Sequence, residues 1–168
     1  MAVTIRGLLM EDASDLAEAI NNKRVQDNLR DGIPYPYTER DAADFIRSTL
    51  DAKPDSQYVF AILYQGKVIG NLGLYRKDNV HRLSAELGYY IRESLWGIGI
   101  MTEAVRQACA NVFSDTDIVR IFAEPYAFNA ASCRVLEKAG FQYEGTLRQN
   151  ALKNGRLLDM KMYSLLRP

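Results

Sequence analysis

Apolar positions along this chain follow two rhythms, one of period two and one near three and a half, and their succession lays out a mixed α and β architecture. Residues 3–8 alternate as a short strand. Leu16, Ala19 and Ile20 then recur at helical spacing behind Asp12 or Ser14, either of which suits the N-cap. Asp31-Gly32-Ile33-Pro34-Tyr35-Pro36-Tyr37 is a proline-pinned loop. Thr38 followed by Asp41 resembles a helix start ahead of Ala42, Phe45, Ile46 and Leu50. Residues 58–64 and 67–75 are rich in β-formers and joined by Gln65-Gly66, a hairpin signal, and residues 84–91 read as a further strand antiparallel to 67–75.

From there strands alternate with helices. The pattern predicts a helix over 99–113, a strand over 118–124, and a helix over 129–139 closed by Gly140. A strand over 141–147, an Asn154-Gly155 turn and a strand over 157–166 close the chain as a hairpin. No repeat, linker or low-complexity tract interrupts the order β-α-α-β-β-β-α-β-α-β-β, so residues 1–168 are expected to form one domain.

Composition narrows the function classes. Hydrophobic residues at 48% and charged residues at 25% fit a globular protein and exclude a disordered one. Lys plus Arg and Asp plus Glu are 21 each, which leaves no excess positive field for nucleic acid or an anionic membrane. Neither a secretory leader nor an apolar run of spanning length is present, and a cytoplasmic location is expected. Cys109 and Cys133 suit free thiols in a reducing compartment, and the lone His81 gives no basis for a metal site.

The chemistry lies in two segments. Leu95-Trp96-Gly97-Ile98-Gly99-Ile100-Met101-Thr102-Glu103-Ala104 is a glycine-punctuated turn running out of a strand and into a helix. Backbone N–H groups at a helix start lack intrahelical partners and sit at the positive end of the dipole, so such a turn suits a phosphate. Alone it is also what a relaxed loop before an ordinary helix looks like. The second segment, one strand on, runs from Asn129 through Ser132 to Leu136-Glu137-Lys138-Ala139-Gly140-Phe141.

Together the two resemble the acetyl-CoA site of the GNAT N-acetyltransferase superfamily, in its ribosomal-protein N-terminal acetyltransferase branch. The resemblance runs from Val3 to the C-terminus and is strongest over residues 86–141. It implies a GNAT fold, a mixed and mostly antiparallel central sheet flanked by helices, and acetyl-CoA as co-substrate with no metal. The family's pyrophosphate motif, Gln/Arg-x-x-Gly-x-Gly/Ala, is met at Gly99 but departs at Trp96 and Met101, in the manner of the branch. Main-chain amides from Gly97 through Ile98, Gly99, Ile100 and Met101 to Thr102 are then the cradle. Tyr89, Tyr90 and Ile91 occupy the strand whose main chain, in the family, pairs with the pantetheine arm.

The resemblance also assigns Asn129 to the cofactor, beyond its value as an N-cap. It places Ser132 near the CoA sulfur as the proton donor, because the tyrosine common in the family is replaced by Leu136; a solvent-facing serine in a first helical turn is the alternative. Direct transfer needs a neutral amine and a base. Glu124 matches the branch's glutamate and ranks above Glu86, which shares a strand face with Gly88 and Tyr90. Either glutamate is alternatively a partner of Arg120 or Arg148. The acceptor wall is expected from residues 31–37, with Tyr35, Tyr37 and Asp31, from the early helices, and from the last hairpin, where Tyr163 lines the cleft or packs in the core and Asp159 meets an arginine.

The expected acceptor is a protein N-terminal α-amine or a related small amine, on a monomer or homodimer. Acetyltransferases of polyamines, antibiotics or amino acids and a non-catalytic acyl-CoA sensor are the alternatives. A phosphotransferase is disfavoured by the absence of Gly-x-x-x-x-Gly-Lys-Ser/Thr.

Overall fold

The computed structural model describes residues 2–168. Strand β1 (Val3–Gly7) opens the chain, followed by α1 (Ala13–Ile20), the single turn α2 (Lys23–Gln26) and α3 (Glu39–Leu50). Three strands come next, β2 (Gln57–Tyr64), β3 (Lys67–Arg76) and β4 (Ser84–Ile91). Then follow α4 (Ile100–Asp115), β5 (Arg120–Ala123), α5 (Ala130–Lys138), β6 (Gln142–Lys153) and β7 (Arg156–Leu166).

All seven strands join one sheet in the order β1-β2-β3-β4-β5-β7-β6. Its pairs are antiparallel except β4 with β5, which are parallel and linked by α4. Both hairpin turns follow from residue type. Gln65-Gly66 and Asn154-Gly155 hold positive φ at both positions, the geometry whose twist matches that of the flanking strands.

Helices cover both faces. Leu16, Ala17, Ala42 and Ile46 pack on Val59, Ala61 and Val68 on one side. On the other, Ile100, Ala104, Val105 and Ala108 of α4 and Leu136 of α5 pack on Leu72, Leu87 and Ile121. Cys109 and Cys133 are buried and unpaired. Among the described residues no helix is long and apolar enough to cross a membrane.

Four local expectations are corrected. Asp12 stands at the start of α1 but makes no side-chain cap; its carboxylate accepts two hydrogen bonds from Arg6 and one from the Leu9 N–H instead. The turn α2, capped by the Asn22 side chain, was not legible as a helix because four residues carry no periodicity. Strand β6 continues past Leu147 to Lys153 across a register shift, with Gln149 at a φ of 50°. Strand β5 is shorter than 118–124, and this decides the site.

β4 pairs with β5 only at Ser84, Ala85 and Glu86. Beyond Ala123 the chain reaches Pro125, which has no N–H to extend a ladder and disfavours helical geometry in the residue before it. From there it follows β7, through Lys161 N–H to Pro125 O at 2.9 Å and a Tyr126–Met160 bridge. β4 keeps its pairing with β3 as far as Ile91. The two parallel strands therefore part, and a wedge opens between them.

Candidate active site

A cavity of about 640 Å³ runs through that wedge and joins the two faces of the sheet. It is lined by Tyr89, Tyr90, Ile91, Trp96, Gly97, Gly99, Ile100, Met101, Thr102, Asn129 and Ser132, and by Glu86 and Glu124. Of the residues assigned to the cofactor and to catalysis, Ile98 alone is outside the lining, and its side chain is exposed.

The turn is built by its glycines. Gly97 and Gly99 adopt φ values of 80° and 89°, left-handed geometry that a side chain would strain, and α4 starts at Ile100 directly after. The first N–H groups of α4 have no intrahelical partners, and the residues that carry them, Ile100, Met101 and Thr102, line the cavity. Ile100, Met101 and Thr102 are buried, so they meet the cavity chiefly with backbone while their side chains hold the helix in the core. Trp96 braces the turn from below, its indole N–H donating to the Ile91 carbonyl at 3.1 Å.

That contact corrects the expectation for β4. The Ile91 carbonyl is taken by Trp96, and the Tyr90 carbonyl is turned onto Gly70 of β3, where a Cβ would stand 2.1 Å from it. The Tyr89 main chain and the Ile91 N–H are left facing the wedge without a strand partner.

Tyr89 also contributes a side-chain function that the sequence did not single out. Its phenol oxygen lies 2.6 Å from Ser132 Oγ, across the wedge between β4 and α5. Ser132 is held in place by its own N–H, which donates to the N-cap Asn129 Oδ1 at 3.2 Å. Burial raises the Tyr89 phenol well above its ordinary value, and the Ser132 hydrogen bond only partly offsets this. The phenol keeps its proton, and in the 2.6 Å contact either hydroxyl can donate to the other. Leu136 is fully buried, so its position offers nothing to the cavity.

On the opposite sheet face, Glu86 and Glu124 converge. Burial raises the Glu124 carboxyl above the usual carboxylate range, and the Glu86 charge adds to this, while Arg30 and Lys77 pull it back. Arg30 Nη2 donates to the Glu124 carbonyl at 3.0 Å and stands 3.6 Å from Glu86 Oε2; Lys77 Nζ is 3.9 Å from Glu86 Oε1. The guanidinium also lies 5.4 Å from the Tyr126 ring centre, and Tyr126 OH donates to Leu29 O at 2.9 Å. Arg120 makes a two-point bond with Glu144, and Arg148 is exposed on β6, so neither arginine is the partner of Glu86 or Glu124.

The wall beside these carboxylates is made by Val25, Asn28, Leu29, Arg30 and Tyr75, not by residues 31–37. Asp31 pairs with Lys153 at 3.0 Å, Tyr35 lies under Lys23, and Tyr37 packs against the α1–α3 core. Tyr163 is core, and Asp159 accepts from the Gln149 N–H rather than from an arginine. The available sequence signal for the true wall was Asn22 as a cap ahead of Val25 and Leu29, four residues apart.

The comparisons with known proteins fit this geometry. A family model described as "Acetyltransferase (GNAT) domain" matches residues 2–142. A protein of Bacillus subtilis strain 168 described as "Putative ribosomal N-acetyltransferase YdaF" is 33% identical over 172 residues, spanning 98% of this chain and 91% of the relative. Among solved structures, the ribosomal-protein-S5-alanine acetyltransferase from Vibrio fischeri superposes with a TM-score of 0.88 at 20% identity, covering 99% of this chain and 94% of that one. The spermidine N-acetyltransferase from Vibrio cholerae, solved with CoA and spermine, gives 0.82 at 22% identity over 98% and 95%. At those identities the two structures speak for the fold alone. The glycine turn at a helix start and the parted parallel strands thus have their family in the matched model and the full-length relative, and the chain belongs to the GNAT acetyltransferases.

Proposed function

We propose that the protein transfers the acetyl group of acetyl-CoA directly to the α-amine of a protein N-terminus, in the cytoplasm, with both substrates bound together. The observation that carries this is one cavity reached from two faces, with an anion-binding turn at residues 97–102 on one side and two carboxylates on the other. The phosphate-bearing arm lies along the α4–α5 face, and the amine enters past Leu29 and Tyr75.

In this reading Glu124 takes the proton of the incoming ammonium, directly or through water, with Glu86 holding the positive amine in place. The neutral amine attacks the thioester carbonyl, whose developing oxyanion meets a main-chain N–H on the unpaired edge of β4. The C–S bond then breaks. Ser132 donates its hydroxyl proton to the departing thiolate while Tyr89 steadies the serine oxygen. The proton shed by the new amide nitrogen returns through water to the serine oxygen, and the one held by Glu124 leaves to solvent.

Charge balance supports an α-amine over a polyamine. Arg30 and Lys77 both pair with Glu86, which leaves the Glu124 carboxyl to meet one positive charge followed by carbonyl groups, to which Arg30 and Asn28 can donate. The name of the Bacillus subtilis relative points the same way.

The test is thiol release from acetyl-CoA in the presence of peptides with free or blocked N-termini, spermidine and small amines, with products weighed by mass spectrometry. Acetylation confined to free peptide α-amines is expected. Turnover with spermidine alone, or with a blocked peptide's lysines, refutes the acceptor assignment, and no release with any amine refutes the enzymatic reading.

A further inference from the structure

Glycine weakens a strand, because it gives up the most chain freedom on folding and packs nothing, so its presence inside one has a reason. Three stand in β3 and β4. At Gly70 a Cβ would run into the Tyr90 carbonyl, and at Gly73 one would stand 2.5 Å from the Tyr75 phenol oxygen. Gly88 has neither constraint. Its φ lies outside the left-handed region, and a Cβ there would meet no atom within 4 Å. It is exposed although it lies inside the sheet, because β5 has already left β4 after Glu86.

The two-residue period puts Gly88 on the face of Glu86 and Tyr90, and the register sets it across from Gly73 as Glu86 is set across from Tyr75. The Tyr75 ring lies over Gly73, so Glu86, Tyr90 and Tyr75 border a bare stretch of main chain in the cavity wall. The use left for such a glycine is close approach by a ligand. With the α-amine beside Glu124 and Glu86 and the thioester at the β4 edge next to Gly88, the atoms that come nearest are the Cα and side chain of the acceptor's first residue. We infer that this first side chain rests on Gly88, and that the missing Cβ sets the largest first residue the enzyme admits. This rests on the transfer to a peptide α-amine proposed above.

Gly88→Ala and Gly88→Val in the full-length protein test it, with acetyl-CoA and peptides that differ only in a first residue of Gly, Ala or Val. The unaltered protein is expected to acetylate all of them. An added Cβ competes with the first side chain for the same space, so the loss should grow with that side chain. In Gly88→Ala the Gly peptide should keep its kcat/KM within about threefold and the Val peptide should lose about tenfold or more, with the Ala peptide between them. Gly88→Val should extend the large loss to the Ala peptide, with the KM for acetyl-CoA unchanged in both variants. Gly88→Ala should also melt no lower than the parent, since no packing or backbone constraint requires glycine there. Equal losses for all peptides, no loss for any, an unaltered protein that takes the Gly peptide alone, or a lowered melting temperature in Gly88→Ala overturns the inference. An unaltered protein that acetylates other amines but no peptide N-terminus overturns the acceptor reading itself and the inference with it.

Discussion

Replacing Tyr89 by Phe deletes one oxygen and leaves the ring, its packing against the α4–α5 core and the fold of β4 intact. The deleted hydroxyl stands 2.6 Å from Ser132 Oγ and 3.4 Å from the Ser132 carbonyl; either hydroxyl can donate in the shorter contact, and the proposed mechanism uses the arrangement in which the phenol donates to Oγ. With that lone pair occupied, the serine's own hydrogen is directed into the cavity. A neutral hydrogen bond of this kind contributes about 1 kcal/mol, rising to on the order of 2 kcal/mol as charge builds on Oγ during proton donation. Tyr89→Phe should therefore lower kcat about 5- to 30-fold with the KM for acetyl-CoA unchanged. Ser132→Ala removes the proton donor itself and should lower kcat about a hundredfold.

The double variant separates the mechanism from simple packing. If the phenol acts through the serine, it has nothing left to act on, and Tyr89→Phe/Ser132→Ala should match Ser132→Ala within about twofold. Steady-state thiol release on the four proteins at saturating acetyl-CoA and acceptor measures this, with thermal melts as the control for folding. A Tyr89→Phe penalty of the same size with and without Ser132, or no penalty at all, refutes the reasoning.

Three further outcomes are expected. Gly99→Ala places a side chain at a φ of 89° and should lower stability by about 1 kcal/mol and weaken acetyl-CoA binding; a folded variant with unaltered affinity would remove the cradle assignment. Glu86→Gln takes away the negative charge that helps to raise the Glu124 carboxyl, so the acid limb of kcat/KM should move to lower pH; an unmoved limb, or one displaced upward, argues against Glu124 as the base. Asp12→Ala should cost on the order of 1 to 2 kcal/mol in a denaturant titration, because it removes two charge-assisted hydrogen bonds from Arg6 and one from the Leu9 N–H while the partly exposed guanidinium turns to water. Burial alone would raise the Asp12 carboxyl, but the Arg6 fork and the Leu9 N–H outweigh it and hold it below its ordinary value. Its contribution is therefore present at neutral pH and lost as the pH falls through that lowered pKa, and a variant whose stability loses nothing relative to the parent would contradict this.

Much of the molecule was legible before any coordinate. Thr38 and Asp41 cap α3 reciprocally, as their spacing indicated, and Asn129 caps α5 through the Ser132 N–H. Gln65-Gly66 and Asn154-Gly155 form their turns. The strand and helix order was correct apart from α2. These features depend on residues within four or five positions of one another, where the chain carries its own geometric instructions. Asp12 shows the limit of such reasoning, since a good capping residue was claimed by Arg6 at greater advantage.

Sequence position alone marked the glycine turn at the start of α4, the helix start at Asn129, and Glu86 and Glu124 as the carboxylate candidates. The parting of β4 and β5 after Glu86, the reach of Tyr89 to Ser132 across the gap, and the use of Val25 and residues 28–30 rather than 31–37 at the acceptor end came from packing. The reason is one of range. A cap or a turn is settled by neighbours along the chain, whereas a wedge between strands joined through α4, and a hydroxyl pair 43 residues apart, exist only once packing has chosen which segments meet.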